Sequence, residues 1–202
     1  MNTNALFGLT YGLYLLSAKC EGKDNGCIIN TAMQIANNPT QLMISVNRGN
    51  YTHYMIDETR EFNISVITRE ADFELFKRFG LQSGKTVDKF ADFTAVARSK
   101  NGLLYLTEAS SAFMSVKVTK TVPLSTHTIF IGEMTDADVL SDVAPCTYAY
   151  YHSDIKPKPV QKDEPKKGWK CNICGYVYEG EELPADYVCP LCKHGPEDFT
   201  KL

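Results

Sequence analysis

Residues 169–202 read WKCNICGYVYEGEELPADYVCPLCKHGPEDFTKL, and this short stretch contains four of the chain's seven cysteines. They form two C-x-x-C pairs, Cys171 with Cys174 and Cys189 with Cys192. Each pair presents two sulfurs to one ion, and the intervening residues bring the second pair round to complete a tetrahedron. Because a module this small rarely folds on a hydrophobic core alone, the spacing predicts a four-thiolate metal site that stabilises it.

The identity of the metal does not follow from the spacing, because a zinc ribbon uses the same pattern. The surrounding residues resemble rubredoxin: a Trp two positions before the first cysteine, then C-x-x-C-G-Y-x-Y, D-Y-x-C-P-x-C and a Phe near the end. The resemblance implies one iron that cycles between Fe3+ and Fe2+, with zinc as the alternative. It also implies an aromatic core around the sulfurs, made by Trp169, Tyr176, Tyr178, Tyr187 and Phe199.

Gly175 and Lys193 each follow the second cysteine of a pair. Gly175 suits a left-handed turn that aims backbone N–H groups at the sulfurs, and such hydrogen bonds help to set the potential of a metal–thiolate centre. Lys193 stands where rubredoxins usually have a second glycine, and a left-handed backbone at that position would cost about 1 kcal/mol. The loop between the pairs is also shorter than in free-standing rubredoxins.

The overall composition excludes several classes of partner. With a net charge of −3, the chain lacks the basic field that nucleic-acid binding requires. No apolar run approaches the roughly 20 residues of a membrane helix, and residues 1–4 lack the charged and apolar regions of a signal peptide. An odd number of cysteines with tight C-x-x-C pairs favours metal over disulfides. We therefore expect a cytoplasmic protein that binds neither nucleic acid nor membranes.

The composition changes abruptly at residues 153–168, which read SDIKPKPVQKDEPKKG. Prolines and charges dominate this stretch, so it buries too little apolar surface to offset its ordering entropy. It predicts an extended, semi-rigid tether. The tether separates a first domain, residues 1–152, from a second domain, residues 169–202.

The first domain shows recurrent short apolar runs. Several alternate with period two, as half-buried strands do, for example residues 113–118. Residues 72–79 have apolar side chains at helical spacing and are followed by Gly80. The pattern predicts a mainly β fold, an antiparallel barrel with helical excursions. The predicted strands lie within 9–16, 27–29, 42–46, 62–67, 103–106, 112–118 and 128–133.

Three stretches of the first domain resemble the flavin reductase family, the FMN-binding split barrels that commonly dimerise. They are GCIINTAMQIANNPTQLMISVNRGNYTHYMIDETREFNISVI (26–67), FGLQSGKTVDKF (79–90) and STHTIFIGEM (125–134). Their order and separation are together fairly specific. The resemblance implies a split β-barrel that binds FMN and forms a homodimer.

The candidate flavin site combines a flat wall with a polar loop. The segment Asn30-Thr31-Ala32-Met33 follows a predicted strand and offers small side chains and backbone groups to the flavin ring. The following loop supplies hydroxyls, N–H groups and cations for a phosphate, and Thr52 is also a candidate helix cap. By family likeness Lys89 lies near the phosphate or ribityl chain, and His127 near the flavin and nicotinamide as the candidate catalytic residue. The candidate cofactor-binding residues are Asn30, Thr31, Ala32, Met33, Ser45, Val46, Asn47, Arg48, Tyr51, Thr52, His53 and Lys89.

Each of these residues has a structural alternative. Asn30 and Thr31 are also compatible with a plain strand end, and Arg48 and Lys89 with solvated surface charges. His53 and His127 are compatible with hydrogen-bonded loop and strand-end histidines. No Gly-x-Gly-x-x-Gly motif is present, so we do not expect a separate Rossmann domain.

The two modules together predict an electron-transfer enzyme, an NAD(P)H-dependent flavin oxidoreductase. NADH or NADPH delivers two electrons as a hydride, the iron accepts one electron, and FMN converts between the two. The fusion resembles the high-molecular-weight rubredoxins of anaerobic bacteria, which implies a flavodiiron protein as acceptor and reduction of O2 or NO. Two alternatives stay open: an electron shuttle that another protein reduces, and a flavin domain with a structural zinc ribbon.

Overall fold

The computed structural model describes residues 1–157 and 168–202. Contacts divide the chain into two compact units, with the division after Pro157. The predicted tether falls mostly on residues 158–167, outside the described residues. Within the described residues no helix has both the length and the apolar character that a membrane crossing requires.

The first residues assigned to the tether adopt a regular conformation. Tyr151–Ile155 forms a π-helical turn that continues from a short α-helix. Ile155 packs against apolar residues of the first unit, and the Ser153 hydroxyl donates to the carbonyl of Ala149. Apolar burial therefore carries the first unit a few residues beyond the predicted boundary at residue 152.

The first unit contains nine strands, three α-helices and two other helical turns. The strands are β1 (Tyr14–Cys20), β2 (Lys23–Ile29), β3 (Ala32–Asn37), β4 (Thr40–Asn47), β5 (Glu61–Ile67), β6 (Val96–Arg98), β7 (Leu104–Leu106), β8 (Ser110–Pro123) and β9 (His127–Val139). The α-helices are α1 (Tyr51–Thr59), α2 (Phe73–Gly80) and α3 (Tyr148–Tyr150), and a 3-10 helix spans Thr3–Gly8.

Seven of these strands form one antiparallel sheet in the order β2-β1-β5-β8-β9-β4-β3. The long β8–β9 hairpin joins its two halves, because β8 also pairs with β5 and β9 with β4. Helices α1 and α2 are excursions between strands. This architecture confirms the prediction of a mainly β fold with helical insertions.

The barrel interior is filled by alternate side chains of the strands and by one helix. On β4, Leu42, Ile44 and Val46 point inwards, and α1 adds Met55 and Ile56, both fully buried. Burying each such side chain contributes about 1.5–3 kcal/mol. The period-two pattern of β4 thus fixes which face closes on the core.

Helix α2 closes a second apolar cluster. Asp72 caps it by accepting a hydrogen bond from the Leu75 N–H at 3.0 Å. Leu75, Phe76 and Phe79 lie on one buried face. The helix ends at Gly80, as predicted from the apolar spacing.

The β6–β7 hairpin lies against β1 and β5 through polar contacts. Ser17 Oγ and Asn63 Nδ2 donate to the Leu104 carbonyl, and the Leu106 N–H donates to Ser65 Oγ. These buried side chains replace strand pairing, so they position the hairpin by bonding its backbone.

The second unit is a three-stranded sheet with the strand Trp169–Cys171 in the middle, and it has a small aromatic core. Its elements are β10 (Trp169–Cys171), β11 (Val177–Tyr178), a 3-10 turn (Pro196–Asp198) and β12 (Phe199–Lys201). The aromatic side chains predicted to surround the sulfurs all belong to this core. Tyr187 contacts Phe199 edge to face at 5.4 Å, and its hydroxyl donates to that of Tyr176 at 3.4 Å.

Candidate metal centre and cofactor cleft

The four predicted sulfur ligands converge in the second unit. The Sγ atoms of Cys171, Cys174, Cys189 and Cys192 all lie within 4.8 Å of one another. The Cys171–Cys192 and Cys174–Cys189 Sγ pairs are 3.6 Å and 3.5 Å apart. A tetrahedron with metal–sulfur bonds of about 2.3 Å has sulfur–sulfur edges of about 3.8 Å. The cage therefore fits a tetrahedral ion.

The two C-x-x-C turns, residues 171–175 and 189–193, are called knuckles below, and they share one backbone conformation. Gly175 has φ 79° and Lys193 has φ 63°, and both donate their N–H to the first cysteine's carbonyl at 2.9 Å. The left-handed residue lets the next N–H reach sulfur: that of Tyr176 donates to Cys174, and that of His194 to Cys192. Lys193 thus adopts the left-handed conformation for which glycine is the usual choice.

The protonation of the free thiols follows from burial and from these N–H groups. Burial raises the pKa of Cys174 to about 11 and raises the pKa of Cys192 as well. Burial also opposes ionisation of Cys189, but hydrogen bonds from the N–H groups of Cys192 and Leu191 and from the thiols of Cys192 and Cys174 together lower the pKa of that thiol. A bound metal must therefore displace protons. Four thiolates suit iron or zinc equally, so the donor set leaves that choice open.

A cleft of about 340 Å³ lies in the first unit where β2, β4 and the β8–β9 turn meet. Five of the predicted residues line it together, namely Asn30, Thr31, Ser45, Asn47 and His127. Its other lining residues are Ile28, Ile29, Asn50, Leu124, Ser125 and Thr126. Amides, hydroxyls and an imidazole beside an apolar wall are the groups that a flavin ring and its polyol require.

Backbone pairing fixes the positions of the cleft residues. Two hydrogen bonds join Thr31 and Ser45: the Ser45 N–H donates to the Thr31 carbonyl at 3.3 Å, and Thr31 Oγ1 donates to the Ser45 carbonyl at 2.8 Å. Asn47 lies opposite His127 in the β4–β9 ladder. The exposed Arg48 donates its N–H to the Thr126 carbonyl at 3.0 Å. The strand ends thus bring a loop rich in donors to one side of the cleft.

The two candidate histidines have different surroundings. His127 is half-buried, and its Nδ1 lies 2.8 Å from Thr126 Oγ1. His53 Nε2 lies 2.8 Å from Thr128 Oγ1, and its ring meets Phe130 edge to face. Burial lowers the pKa of His53, with Asp57 acting in the opposite direction. His127 lines the cleft, whereas His53 packs behind it against β9.

Other predicted residues do not line the cleft. Val46 points into the barrel core and is 1% exposed. Thr52 is fully buried and accepts a hydrogen bond from Asn25 Nδ2 at 2.9 Å. It is the second residue of α1 and does not cap it, because Asn50 occupies the cap position. Ala32 and Met33 begin β3, and Tyr51 opens α1 with its ring stacked on Tyr54.

Lys89 is neither a surface charge nor part of the cleft. Its side chain is almost fully buried, and Nζ donates to the carbonyls of Gly26 and Phe79, both at 2.9 Å. Burial lowers the pKa of this ammonium, and the nearby Cys27 acts in the opposite direction. Lys89 is therefore not a solvated surface charge, and its place near the cofactor phosphate or ribityl chain stays a prediction.

Lys89 instead borders a second, larger groove of about 960 Å³. Its charged lining has five carboxylates, Glu70, Asp72, Glu74, Asp88 and Glu108, against three cations, Lys77, Arg78 and Lys89. Like charges repel a dianionic phosphate, so the smaller cleft suits FMN better than the larger groove.

Sequence reasoning missed part of the cleft. Leu124, Ser125 and Thr126 form the turn between two strands, and only the hydroxyls that directly precede His127 hinted at a polar lining. Asn50 lines the cleft and its Nδ2 also reaches Cys27 Sγ at 3.8 Å. Both positions depend on strand pairing that no local pattern reveals.

Two family descriptions match the chain. Residues 6–158 match the flavin reductase like domain, and residues 169–200 match the rubrerythrin, rubredoxin-like domain. The high molecular weight rubredoxin of Moorella thermoacetica is 38% identical, with both chains fully covered. The ferric-chelate reductase (NAD(P)H) of Archaeoglobus fulgidus is 35% identical and covers 78% of this chain and 93% of its own.

Solved structures support the fold of the first unit. Flavoredoxin from Methanosarcina acetivorans superposes with a TM-score of 0.59 at 24% identity, and the match covers 67% of this chain and 74% of flavoredoxin. The antiparallel barrel of the first unit and the sulfur cage of the second agree with both family matches. The chain belongs to the flavin reductase family and carries a rubredoxin-like domain after its flavin reductase domain.

Proposed function

We propose that the protein transfers electrons from NADH or NADPH, through FMN in the cleft, to an iron held by the four cysteines and then to a protein acceptor. The observation that carries the proposal is the tetrahedral sulfur cage in a chain whose other unit is a flavin reductase domain. FMN, when bound, supplies the exchange between two-electron and one-electron chemistry. The reductase name of the Archaeoglobus fulgidus relative supports NADH or NADPH as donor.

The cleft residues have separate roles in this proposal. Asn30 and the hydrogen-bonded pair Thr31 and Ser45 hold the edge of the flavin ring with amide and hydroxyl groups. Asn47 and Arg48 lie at the strand end where a phosphate finds N–H donors and a cation. His127 positions the nicotinamide beside the ring. None of these residues needs to act as a covalent nucleophile.

The sulfur cage offers an outlet for single electrons. Cys174 and Cys192 are half-buried, and the neighbouring Ile173, Val188 and Leu191 are exposed. Such an apolar patch beside a redox centre suits brief contact with a protein acceptor. The module carries six acidic and three basic side chains, so we expect an acceptor with a basic rim. A flavodiiron protein that reduces O2 or NO is our candidate, supported by the likeness to high molecular weight rubredoxin.

Salt dependence tests the acceptor part of the proposal. Electron transfer to candidate acceptors should slow as ionic strength rises, because salt screens the attraction between the acidic module and a basic rim. Rates that stay flat across the titration would contradict charge-guided docking. We also propose the cytoplasm as the compartment, because tight C-x-x-C pairs in a chain with an odd number of cysteines suit a reducing environment.

We further propose that the first unit forms a homodimer through the outer face of its sheet. Met33, Met43 and Ile131 lie opposite one another across β3, β4 and β9, and Ile129 shares their face. Met33 is 56% exposed although it is apolar. The Met33→Lys variant should reduce the mass measured by light scattering, whereas Val139→Lys, at another exposed apolar position, should leave it unchanged.

Anaerobic stopped-flow absorbance tests the electron pathway. NADH should bleach the flavin band first and the iron–thiolate band afterwards. In the Cys192→Ser variant the flavin should still bleach while the iron band is lost. Bleaching of the iron band before the flavin, or no flavin reduction by NADH or NADPH, would overturn the proposal. Zinc as the only metal in protein from its native source would do the same.

A further inference from the structure

The residue after the second cysteine of each C-x-x-C pair differs between the two pairs: it is glycine after Cys174 and lysine after Cys192. Gly175 and Lys193 occupy the same left-handed position in the two knuckles, with φ 79° and φ 63°. A β-carbon built on Gly175 meets no atom within 4 Å, so there is room for a side chain at Gly175. A side chain at a left-handed position is strained whatever space surrounds it, so the backbone conformation itself is unfavourable for Lys193. Four other non-glycine residues of the described chain also have positive φ, so it is the place of Lys193 directly after a sulfur ligand that suggests a function for its side chain.

Lys193 is the direct chain neighbour of a predicted sulfur ligand. The residue directly follows Cys192, and its own N–H donates to the Cys189 carbonyl at 2.9 Å. Its side chain is exposed and forms no ion pair within the described residues. The two other lysines of residues 169–202 are Lys170 and Lys201, and the Lys201 ammonium lies over the Trp169 ring at 5.7 Å. Lys193 is thus a cationic residue directly after a sulfur ligand, and no carboxylate of the described residues forms an ion pair with it.

Reduction of the centre changes the charge that Lys193 faces. Four thiolates with Fe3+ carry a net charge of −1, and with Fe2+ a net charge of −2. A nearby cation stabilises the reduced form more than the oxidised form, because Coulomb attraction grows with the opposing charge. We propose that Lys193 is a tuning residue that raises the reduction potential of the iron centre and so favours electron flow from the flavin to the iron.

The inference rests on the proposed iron centre, but it does not depend on NADH, on the flavin or on an acceptor. Spectroelectrochemical titration of the iron band in the full-length, iron-loaded protein measures it directly. Lys193→Gln keeps the length and the left-handed backbone but removes the charge. We expect its reduction to become about threefold less favourable, which corresponds to about 28 mV at 59 mV per tenfold change for one electron.

Four further measurements separate charge from backbone effects. Lys193→Arg should retain the wild-type potential, and Lys201→Gln should shift it less than Lys193→Gln does. High salt should shrink the Lys193→Gln shift, because the charge is exposed to solvent. In the zinc-loaded protein, Lys193→Gly should raise the thermal midpoint of the second unit above that of Lys193→Gln, because glycine relieves the backbone strain.

The outcomes distinguish this inference from the proposed function. A wild-type redox wave that Lys193→Gln leaves in place would overturn the tuning role alone. A shift in Lys193→Arg as large as that in Lys193→Gln would also overturn it, since charge would not be the cause. The absence of any redox wave in the loaded wild-type protein would overturn both the inference and the proposed electron pathway.

Discussion

Lys89 keeps its ammonium group inside the first unit, where two carbonyls replace the water that normally surrounds a lysine. Gly26 lies on β2 and Phe79 in the last turn of α2, so the side chain joins a strand to a helix end. A cation also suits the negative end of a helix. These contacts join β2 to the end of α2, so we expect Lys89 to act as a structural residue of the first unit.

The variant Lys89→Met tests that role. It leaves two buried carbonyls without their donor, so we expect the free energy of unfolding to fall by about 1–3 kcal/mol. Urea denaturation followed by circular dichroism measures the change. Lys85→Met, at an exposed lysine of the same loop, should have little effect. Unchanged stability together with weakened FMN binding would instead assign Lys89 to the phosphate.

His53 makes stability depend on pH. Burial lowers its pKa in the folded protein below the ordinary value of about 6.5. The unfolded chain therefore binds the proton more readily, and stability falls as pH decreases through the ordinary pKa towards the folded one.

The variant His53→Gln should flatten this dependence between about pH 7 and pH 5. Unfolding free energies of the two proteins across that range provide the measurement. Part of the loss at low pH should remain, because burial also lowers the pKa of His152. Parallel pH profiles of variant and wild type would exclude His53 as the source.

Residue-level prediction from the sequence succeeded where chemistry depends on local spacing. The C-x-x-C pairs identified all four sulfur atoms of the cage. Val46 and Lys89 could not be placed in this way, because their surroundings come from strands and helices distant in sequence. A position next to a functional loop does not determine where its side chain points.

At the scale of elements, the period-two pattern identified most core strands but not their full extent. β8 and β9 extend well beyond the predicted 112–118 and 128–133. Their additional residues carry mostly exposed side chains, so the alternation of apolar and polar residues fades there. β3 was missed because its apolar residues, such as Met33, face outwards.

The β6–β7 hairpin depends on one buried amide. Asn63 Nδ2 donates to Ser99 Oγ at 2.7 Å and to the carbonyls of Leu103 and Leu104, while Oδ1 accepts from Asn101. Removing the amide leaves several buried polar groups without partners, each costing about 1–3 kcal/mol.

We therefore expect Asn63→Ala to lower the unfolding free energy by about 2 kcal/mol or more and to loosen the hairpin selectively. Hydrogen exchange should accelerate in residues 96–106 more than in β8 or β9. Thr119→Ala removes an exposed hydroxyl contact and serves as the control. Uniform acceleration across the barrel would contradict a local role for Asn63.

At the scale of the whole molecule, the composition change indicated two modules, and the structure divides the chain after Pro157. The two units are stabilised by different interactions. The first has two apolar clusters that include many fully buried side chains. The second has a core of three buried residues, two of them metal ligands. Composition shows where such a division falls, but it does not reveal the apolar contact of Ile155 that extends the first unit.

Metal loading of the whole chain should depend steeply on pH. Burial raises the pKa of Cys174 to about 11 and raises that of Cys192, so both thiols are protonated at neutral pH. Binding displaces these protons, and the apparent affinity should rise about tenfold per pH unit for each proton released. Competition with a chelator between pH 6 and 8 should give a slope of at least about two. A slope near zero would mean that the thiols are already ionised.

The two units should also unfold in separate transitions, of which only one responds to metal. Removing the metal takes away the main stabilising element of the second unit, because its small core cannot offset the conformational entropy of folding. Tryptophan fluorescence reports on that unit alone, since Trp169 is the single tryptophan in the chain. Circular dichroism is dominated by the barrel.

Denaturation of loaded and chelator-treated protein should therefore shift the fluorescence midpoint strongly and leave the circular dichroism midpoint in place. The variant Cys171→Ser should reproduce the chelator effect without any chelator. Cys146→Ser, at a buried cysteine of the first unit, should instead move the circular dichroism midpoint. Coincident transitions that respond equally to metal would show that the sulfur cage stabilises the barrel as well, and the two units would then have to be treated as one cooperative structure.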